Sequence, residues 1–248
     1  MIYYLAQPRY RNALLLVGSF VFYASGRVEH AALLAVCVLV NFWCARRMEK
    51  QEKGRKLWLW AALTYDFSVL IFFKYTGLAG ALPLGISFYT FQITGYMIDV
   101  YRKKFPAEQS LLKLGTYLTM FSQLASGPIV NYGEVREALG KRELSAEGLE
   151  EGLRMLILGL GAKVLVADRI GLLWNDIQTI GFASISTPLA WMGAFGYSLE
   201  LYFDFAGYSM MAIGIGKMLG FAIPENFHFP YMSKSVTEFW RRWHITLG

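Results

Sequence analysis

The sequence contains several long, predominantly apolar stretches separated by short charged or Gly- and Pro-containing segments. A helix needs about 20 such residues to cross about 30 Å of hydrocarbon. In the hydrocarbon, the backbone N–H and C=O groups can form their hydrogen bonds only within a helix or a closed barrel. The chain shows no regular alternation of polar and apolar residues of the kind that a barrel strand needs. We therefore expect an all-α, polytopic transmembrane protein. The expected spans or part-spans cover 12–25, 28–45, 57–75, 84–101, 111–130, 147–171, 188–205 and 207–221.

The charge pattern agrees with a membrane environment. Charged residues make up 17% of the chain and hydrophobic residues 55%, whereas about a quarter of the residues of soluble domains are charged. The net charge of +6 comes from short basic loops such as 46–56 and 102–104, not from one face with interleaved aromatic residues. Basic loops mark the cytoplasmic side of a membrane protein. We expect contact with the lipid bilayer and no nucleic-acid partner.

The C-terminal segment 233–247 mixes tryptophans with charged residues, which predicts an interfacial amphipathic helix along a membrane face. Because there is no fixed-period repeat and no low-complexity linker, 1–248 is interpreted as a single membrane domain. Cys37 and Cys44 lie in one apolar segment, where a helix would separate their Cα atoms by about 10 Å along its axis. That distance is too long for a disulfide, and the sequence predicts no metal site.

Some ionisable residues lie within the apolar stretches. On insertion scales, placing each charged side chain in the membrane costs at least about 2.5–3.5 kcal/mol of free energy. They must line a cavity or form pairs. Glu200 and Asp204 are four residues apart, which places both carboxylates on one face of a helix. They predict either a polar cavity wall or acid/base pair, or hydrogen bonds to neighbouring helices, and both interpretations stay open. The full set is Asp66, Asp99, Lys163, Asp168, Glu200 and Asp204.

The three histidines differ in their sequence context. His30 lies in an outer turn, His228 in a loop bounded by Pro224 and Pro230, and His244 directly after Trp240-Arg-Arg-Trp243. A histidine is the natural proton acceptor for a hydroxyl nucleophile near neutral pH, and His244 is the candidate for that role. The sequence has no phosphate-binding loop, two-histidine zinc helix or Gly-x-Ser-x-Gly elbow.

Six segments in order resemble the membrane-bound O-acyltransferase family, in particular its bacterial alginate O-acetyltransferase-like branch. The last block is the most specific, and the resemblance runs through nearly the whole chain. Met210 and His228 stand where relatives often carry Asp and Asn. The segments are Phe72-Phe-Lys-Tyr-Thr76; Pro83-Leu-Gly-Ile-Ser-Phe-Tyr-Thr-Phe-Gln92 with Ile98-Asp-Val-Tyr-Arg102; Gln123-Leu-Ala-Ser-Gly-Pro-Ile129; Tyr202-Phe-Asp-Phe-Ala-Gly-Tyr208; Glu225-Asn-Phe227 with Pro230-Tyr231; and Phe239-Trp-Arg-Arg-Trp-His-Ile-Thr-Leu247.

The resemblance implies a ring of spanning, tilted and re-entrant helices around a funnel. An acyl group from a cytoplasmic thioester, acetyl-CoA or an acyl carrier protein, would reach a hydroxyl on the far side, with no bound cofactor and no metal. His244 matches the first of two marked histidines. The principal catalytic histidine is expected beyond Gly248, so the chain is expected to be an inactive fragment that lacks both ends. The implied substrate- and tunnel-lining residues are Gln123, Glu200, Asp204, Trp240, Arg241, Arg242 and Trp243.

The function implied by the resemblance is acetylation of hydroxyls on an extracytoplasmic polysaccharide, as in alginate O-acetylation, at the bacterial cytoplasmic (inner) membrane. The basic residues Lys234, Arg241 and Arg242 predict attraction of an acidic carrier protein or of coenzyme A phosphates, or simple interfacial anchoring. Three alternatives remain. These are D-alanyl transfer toward teichoic acid, a transporter or polymer-export subunit, and a conduit that passes acetyl groups to periplasmic acetyltransferase partners.

Overall fold

The computed structural model describes residues 2–76, 80–124 and 127–247. Within these ranges the chain is helical, and its only β-type pairing is an isolated antiparallel bridge between Phe227 and Trp243. The all-α prediction is therefore confirmed for the described residues. The helices are α1 Ile2–Leu5, α2 Arg11–Ala24, α3 Val28–Lys50, α4 Arg55–Tyr75, α5 Ile86–Tyr101, α6 Leu111–Thr119, α7 Phe121–Leu124, α8 Tyr132–Gly140, α9 Ala146–Gly161, α10 Asp168–Ile180, α11 Thr187–Met218 and α12 Val236–Arg242.

The helices fall into two compact units. The described residues of Met1–Ala125 and Ile129–Leu144 form unit 1, and those of Ser126–Pro128 and Ser145–Gly248 form unit 2. Unit 1 therefore contains α1 to α8, and unit 2 contains α9 to α12. The single membrane domain expected for 1–248 stays a prediction.

Unit 1 has a side-chain core that includes a buried polar network. Asp66 of α4 is 2% exposed and accepts hydrogen bonds from Asn41 Nδ2 at 2.8 Å and from Cys37 Sγ at 3.4 Å, both on α3. A buried polar group without a partner is expensive, so this network fixes α3 against α4. Cys37 and Cys44 are both buried free thiols.

The predicted span 111–130 is interrupted. Helix α6 ends where Met120 adopts a non-helical ψ of 111°, α7 is one short turn, and an extended segment leads to α8. The Gly127-Pro128 pair agrees with this ending, because a residue before proline is driven away from helical geometry. Ala125 and Ser126 of that predicted span lie outside the described residues.

Helix α8 does not coincide with any of the apolar stretches. It begins with a reciprocal capping box between Asn131 and Glu134. An N-cap side chain followed three residues later by Glu is the recognised pattern of such a start, so the residue types alone were sufficient to indicate it. The helix is short and half polar, which explains why hydropathy did not reveal it.

In unit 2, the apolar stretch 147–171 continues without a loop through α9, a π-helical segment Ala162–Ala167, and α10. The expected separate helices 188–205 and 207–221 form the single 32-residue helix α11. The prediction of a break was wrong because Gly207 permits close helix packing. A Cβ on Gly207 would lie 2.7 Å from the carbonyl oxygen of Gly159 in α9.

Helices α9 and α11 are antiparallel and meet through glycines spaced seven residues apart. A Cβ on Gly152 would lie 2.5 Å from the carbonyl oxygen of Gly214, and one on Gly159 would lie 2.5 Å from that of Gly207. Small residues allow backbones to approach in this way at helix contacts in membranes. This glycine contact sets the position of α11, which carries part of the candidate site.

Within the described residues, two helical segments are long and apolar enough to cross a membrane, namely Val28–Lys50 and Glu52–Tyr75. This is fewer than the sequence patterns predicted. Helices α5 and α9 have only 16 residues each. Helix α11 has 32 residues but is not among the segments that meet this test.

Candidate active site

Two extended segments of unit 2 pair with each other after α11. The backbone N–H of His228 donates to the Arg242 carbonyl at 2.9 Å, and that of Ile245 donates to the Asn226 carbonyl at 2.9 Å. Together with the Phe227–Trp243 bridge, these bonds fix the register. The Glu225-Asn-Phe227 and Trp243-His244 motifs, which are separate in sequence, therefore lie side by side.

The last part of the predicted amphipathic helix 233–247 is not helical. Helix α12 stops at Arg242, Trp243 is extended, and His244 has a φ of 49°. Only Ile245–Leu247 returns to a 3₁₀ turn. The pairing with 226–228 explains the difference, because the Arg242 carbonyl and the Ile245 N–H bond to that segment instead of continuing the helix.

His244 lies partly buried at this junction, outside the two candidate spans. Its Nδ1 is 3.0 Å from Asn226 Oδ1, and the Phe205 ring of α11 lies edge-on to the imidazole at 5.0 Å. Burial lowers the pKa of His244 below its ordinary value of 6.5. The neutral imidazole, which can accept a proton, is therefore favoured near neutral pH.

Asn226 was not selected as a site residue, although it belongs to one of the motifs that carry the resemblance. It is 1% exposed. Its Oδ1 accepts hydrogen bonds from the Thr246 backbone N–H at 3.3 Å and hydroxyl at 2.9 Å, and its Nδ2 donates to Ser209 Oγ at 2.9 Å. The clue in the sequence was an amide residue in a Pro-bounded loop, but its partners are 17 and 20 residues away.

Trp243 lies within an aromatic cluster. Its ring stacks on Phe239 of α12 at 5.6 Å and meets Phe227 edge-on at 5.1 Å. Tyr202 of α11 lies 6.2 Å from Trp243. The cluster therefore joins the elements around His244.

The other expected tunnel-lining residues of α12 have different surroundings. Trp240 is 61% exposed and touches Phe239, and Arg241 is exposed. Arg242 forms an ion pair with Glu238 one turn earlier, at 2.7 Å. Of the residues predicted in this block, the structure joins Trp243 and His244 in one cluster and leaves Trp240 and Arg241 at the surface.

Glu200 and Asp204 lie on the side of α11 that contacts α10 and the π-helical segment. Asp204 forms an ion pair with Lys163 at 2.5 Å, and Lys163 also contacts Asp168 at 3.4 Å. Glu200 packs on Gly171, where an added Cβ would lie 2.7 Å from its Oε1. These contacts support the interpretation of helix-to-helix pairing for Asp204, and neither carboxylate is a hydrogen-bond partner of His244.

Gln123 belongs to unit 1, where it is buried in α7. In unit 2, a cleft of about 400 Å³ lies between α11 and the 225–229 segment. Ser209 and Asn226 form part of its wall, with Met155, Met210 and Phe227 supplying apolar surface. His228 stands at this cleft, 3.8 Å from the carboxylate of Glu225. No group of side chains suited to hold a metal ion occurs among the described residues.

Comparisons with known proteins agree with the motifs. The family model for the membrane-bound O-acyltransferase family matches residues 103–247. A probable alginate O-acetylase AlgI of Pseudomonas aeruginosa is 37% identical over all of this chain and 52% of its own length. A peptidoglycan O-acetyltransferase of Helicobacter pylori is 31% identical over 99% of this chain and 55% of its own length.

A teichoic acid D-alanyltransferase of Bacillus subtilis is also similar, at 32% identity over 66% of this chain and 42% of its own length. The chain spans about half the length of the curated relatives that it matches throughout. The family match covers the candidate site, including Asn226, Trp243 and His244. The chain therefore belongs to the membrane-bound O-acyltransferase family and is a membrane protein.

Proposed function

We propose that the protein serves in transfer of an acyl group, acetyl in the first instance, from a thioester to a hydroxyl of an extracytoplasmic polysaccharide. The observation that carries this proposal is the surroundings of His244. Its imidazole is partly buried, has a lowered pKa, and uses only Nδ1 in hydrogen bonding among the described residues. Similarity along the whole chain to proteins named as O-acetylases of alginate and peptidoglycan supports the same chemistry.

In this reaction, the acceptor hydroxyl attacks the thioester carbonyl as a neutral imidazole takes its proton. The new acyl–oxygen bond forms, the carbon–sulfur bond breaks, and the proton passes to the leaving thiolate to give a free thiol. General base catalysis of this kind contributes about 10²–10⁴-fold to a rate. His244 would supply it directly or together with a second histidine.

The donor would be acetyl-CoA or an acyl carrier protein on the cytoplasmic side, used as a substrate and not as a bound cofactor. Arg241 is exposed and is the basic residue of α12 best placed to meet an anionic donor, because Arg242 is already paired with Glu238. The proposed location is the bacterial inner membrane, crossed several times by helices arranged around a funnel. Polysaccharide and periplasmic acetyltransferases would be the partners on the far side.

D-alanyl transfer toward teichoic acid is the second candidate. It is favoured by the similarity to a teichoic acid D-alanyltransferase, which covers 66% of this chain. The alignments to the O-acetylases cover at least 99%, so acetyl transfer remains the first proposal.

The test is transfer of radiolabelled acetyl groups to polymer in membranes that contain the protein expressed from its full reading frame. Replacing His244 by Gln should reduce transfer at least about 100-fold, while His30→Gln should leave it unchanged. Undiminished acetyl transfer by His244→Gln would overturn the role of His244. Transfer of labelled D-alanine in place of acetyl would establish the second candidate.

A further inference from the structure

We infer that Asn226 is a positioning residue that holds His244 as the Nδ1–H tautomer and so leaves Nε2 as the proton acceptor. This inference rests on the proposed function for its catalytic meaning. The tautomer itself follows from the hydrogen bonds around Asn226 and is measurable without any acyl transfer.

The orientation of the Asn226 amide is determined by a backbone donor. A backbone N–H can only donate, so the atom 3.3 Å from Thr246 N must be the amide oxygen. The Thr246 hydroxyl donates to the same oxygen at 2.9 Å, and the amide nitrogen finds an acceptor in Ser209 Oγ at 2.9 Å. Flipping the amide would place its nitrogen against the Thr246 N–H, which leaves two buried donors facing each other.

This orientation determines the protonation of the His244 ring. Asn226 Oδ1 has no hydrogen to give, so His244 Nδ1 at 3.0 Å must carry the hydrogen of that bond. A neutral imidazole has one N–H, and its other nitrogen is then an acceptor. Nε2 has no hydrogen-bond partner among the described residues, which leaves its lone pair available to a hydroxyl.

Asn226 is held in place by hydrogen bonds on two sides. Ser209 on α11 is 2% exposed and bonds to its amide nitrogen. On the other side, the Asn226 carbonyl accepts from Ile245 N at 2.9 Å, directly after His244. His244 is held at a φ of 49°, a conformation that bulky residues adopt only where the surroundings enforce it.

The competing explanation is that Asn226 only closes the loop and does not influence the ring. If Asn226 positions the ring, removing its acceptor oxygen changes which nitrogen of His244 carries the hydrogen. If Asn226 only closes the loop, the tautomer of His244 stays the same. The ring neighbours of His244 are Phe205 and Phe227, and no charged side chain of the described residues forms an ion pair with it. A change of tautomer or of titration in a position-226 variant would therefore report on residue 226 itself.

The experiment is ¹⁵N NMR of the histidine rings in the detergent-solubilised protein, with the His244 signals assigned by comparison with His244→Gln. The wild type should show a protonated Nδ1 and an acceptor Nε2. Asn226→Leu should move the population toward Nε2–H, which is the favoured tautomer of free histidine. Asn175→Leu makes the same substitution on α10, away from the His244 site, and should change neither ring nitrogen.

The conservative variant Asn226→Asp provides a second test in case Asn226→Leu does not fold. Its carboxylate still accepts from Nδ1, and the Ser209 hydroxyl can donate to its second oxygen. The Nδ1–H tautomer should be retained, and the titration midpoint of His244 should rise, because a nearby carboxylate favours the imidazolium. The rise would show that residue 226 lies against the ring, and the tautomer, retained in Asn226→Asp and lost in Asn226→Leu, separates positioning from loop closure.

An Nε2–H tautomer in the wild type, or an unchanged tautomer in folded Asn226→Leu, would overturn the inference. So would Asn226→Asp with an unchanged His244 titration. These outcomes are separate from the acyl-transfer assay. If the rings behave as inferred but His244→Gln transfers acetyl normally, the catalytic role of His244 fails while the assigned tautomer stands.

Discussion

Units 1 and 2 are both helical, but they hold their helices together in different ways. Unit 1 buries large side chains, among them Tyr96, Met97 and Tyr132, each no more than 1% exposed. Unit 2 packs α9 against α11 through glycines. Both units expose large apolar side chains, such as Leu57 of α4 at 69% and Phe195 of α11 at 66%. Exposed apolar surface of this kind is compatible with lipid, where no hydrophobic force drives side chains together.

The difference shows where each unit tolerates change. In unit 1, a side chain can be replaced by another of similar volume with modest loss, because the core can repack. In unit 2, the contacting atoms at the glycines are backbone, which cannot move aside without separating the helices. The candidate site depends on this arrangement, because Ser209 and Phe205 reach Asn226 and His244 from α11.

The largest expected effect is at the glycine contact. In Gly152→Ala, the new Cβ would lie 2.5 Å from the Gly214 carbonyl oxygen, and we expect a loss of about 3 kcal/mol or more, at the upper end for overpacking. Gly161→Ala in the same helix is the matched control, because its Cβ would meet nothing within 4 Å. Thermal unfolding in detergent measures both, and equal midpoints would show that α9 and α11 are not held by this contact.

The next effect is expected in the polar network of unit 1. Asn41→Leu removes the donor that bonds Asp66 Oδ1 at 2.8 Å and leaves a buried acceptor poorly satisfied, so we expect a loss of about 1–3 kcal/mol. Asp66→Asn keeps an acceptor for Asn41 and Cys37 and should lose less. If the thermal midpoint of Asn41→Leu matched the wild type, unit 1 would depend on apolar packing alone.

A smaller effect is expected from pH at the unit 2 site. Burial lowers the pKa of folded His244 below the unfolded value of 6.5, so the unfolded chain binds the proton more readily. The stability linked to His244 is complete above pH 6.5 and is lost as pH falls through the folded pKa. His244→Gln should reduce the acid-induced drop in thermal midpoint, and an identical drop in both proteins would contradict this assignment.

The smallest effect is expected from the ion pair between Lys217 of α11 and Glu151 of α9, which are 2.5 Å apart. The Glu151 side chain is 61% exposed, and solvent-exposed pairs contribute about 0–1 kcal/mol. Glu151→Gln should therefore change the unfolding midpoint far less than Gly152→Ala. A comparable loss in the two variants would mean that charge, and not the glycine contact, joins these helices.

The sequence by itself determined the helical class and the family, and it selected His244 as the candidate catalytic histidine. Apolar stretches report helices in lipid because the backbone has no other way to satisfy its polar groups. The block around Trp243-His244 could be assigned to the family because the resemblance depends on which residues follow one another along the chain. The sequence also indicates the start of α8, because Asn131 and Glu134 have the spacing of a capping box.

Only the tertiary structure decided how these parts work together. Gly207 was predicted to end a helix, but Gly159 packs against it. The sequence left two interpretations open for Glu200 and Asp204, and only the structure shows Gly171 beside Glu200 and Lys163 paired with Asp204. The contacts of Asn226 with Ser209 and His244 join residues 17 and 18 positions away in the sequence. The physical reason is that hydropathy and local propensity describe a residue and its near neighbours, whereas close packing and hydrogen-bond partners depend on which distant segments meet.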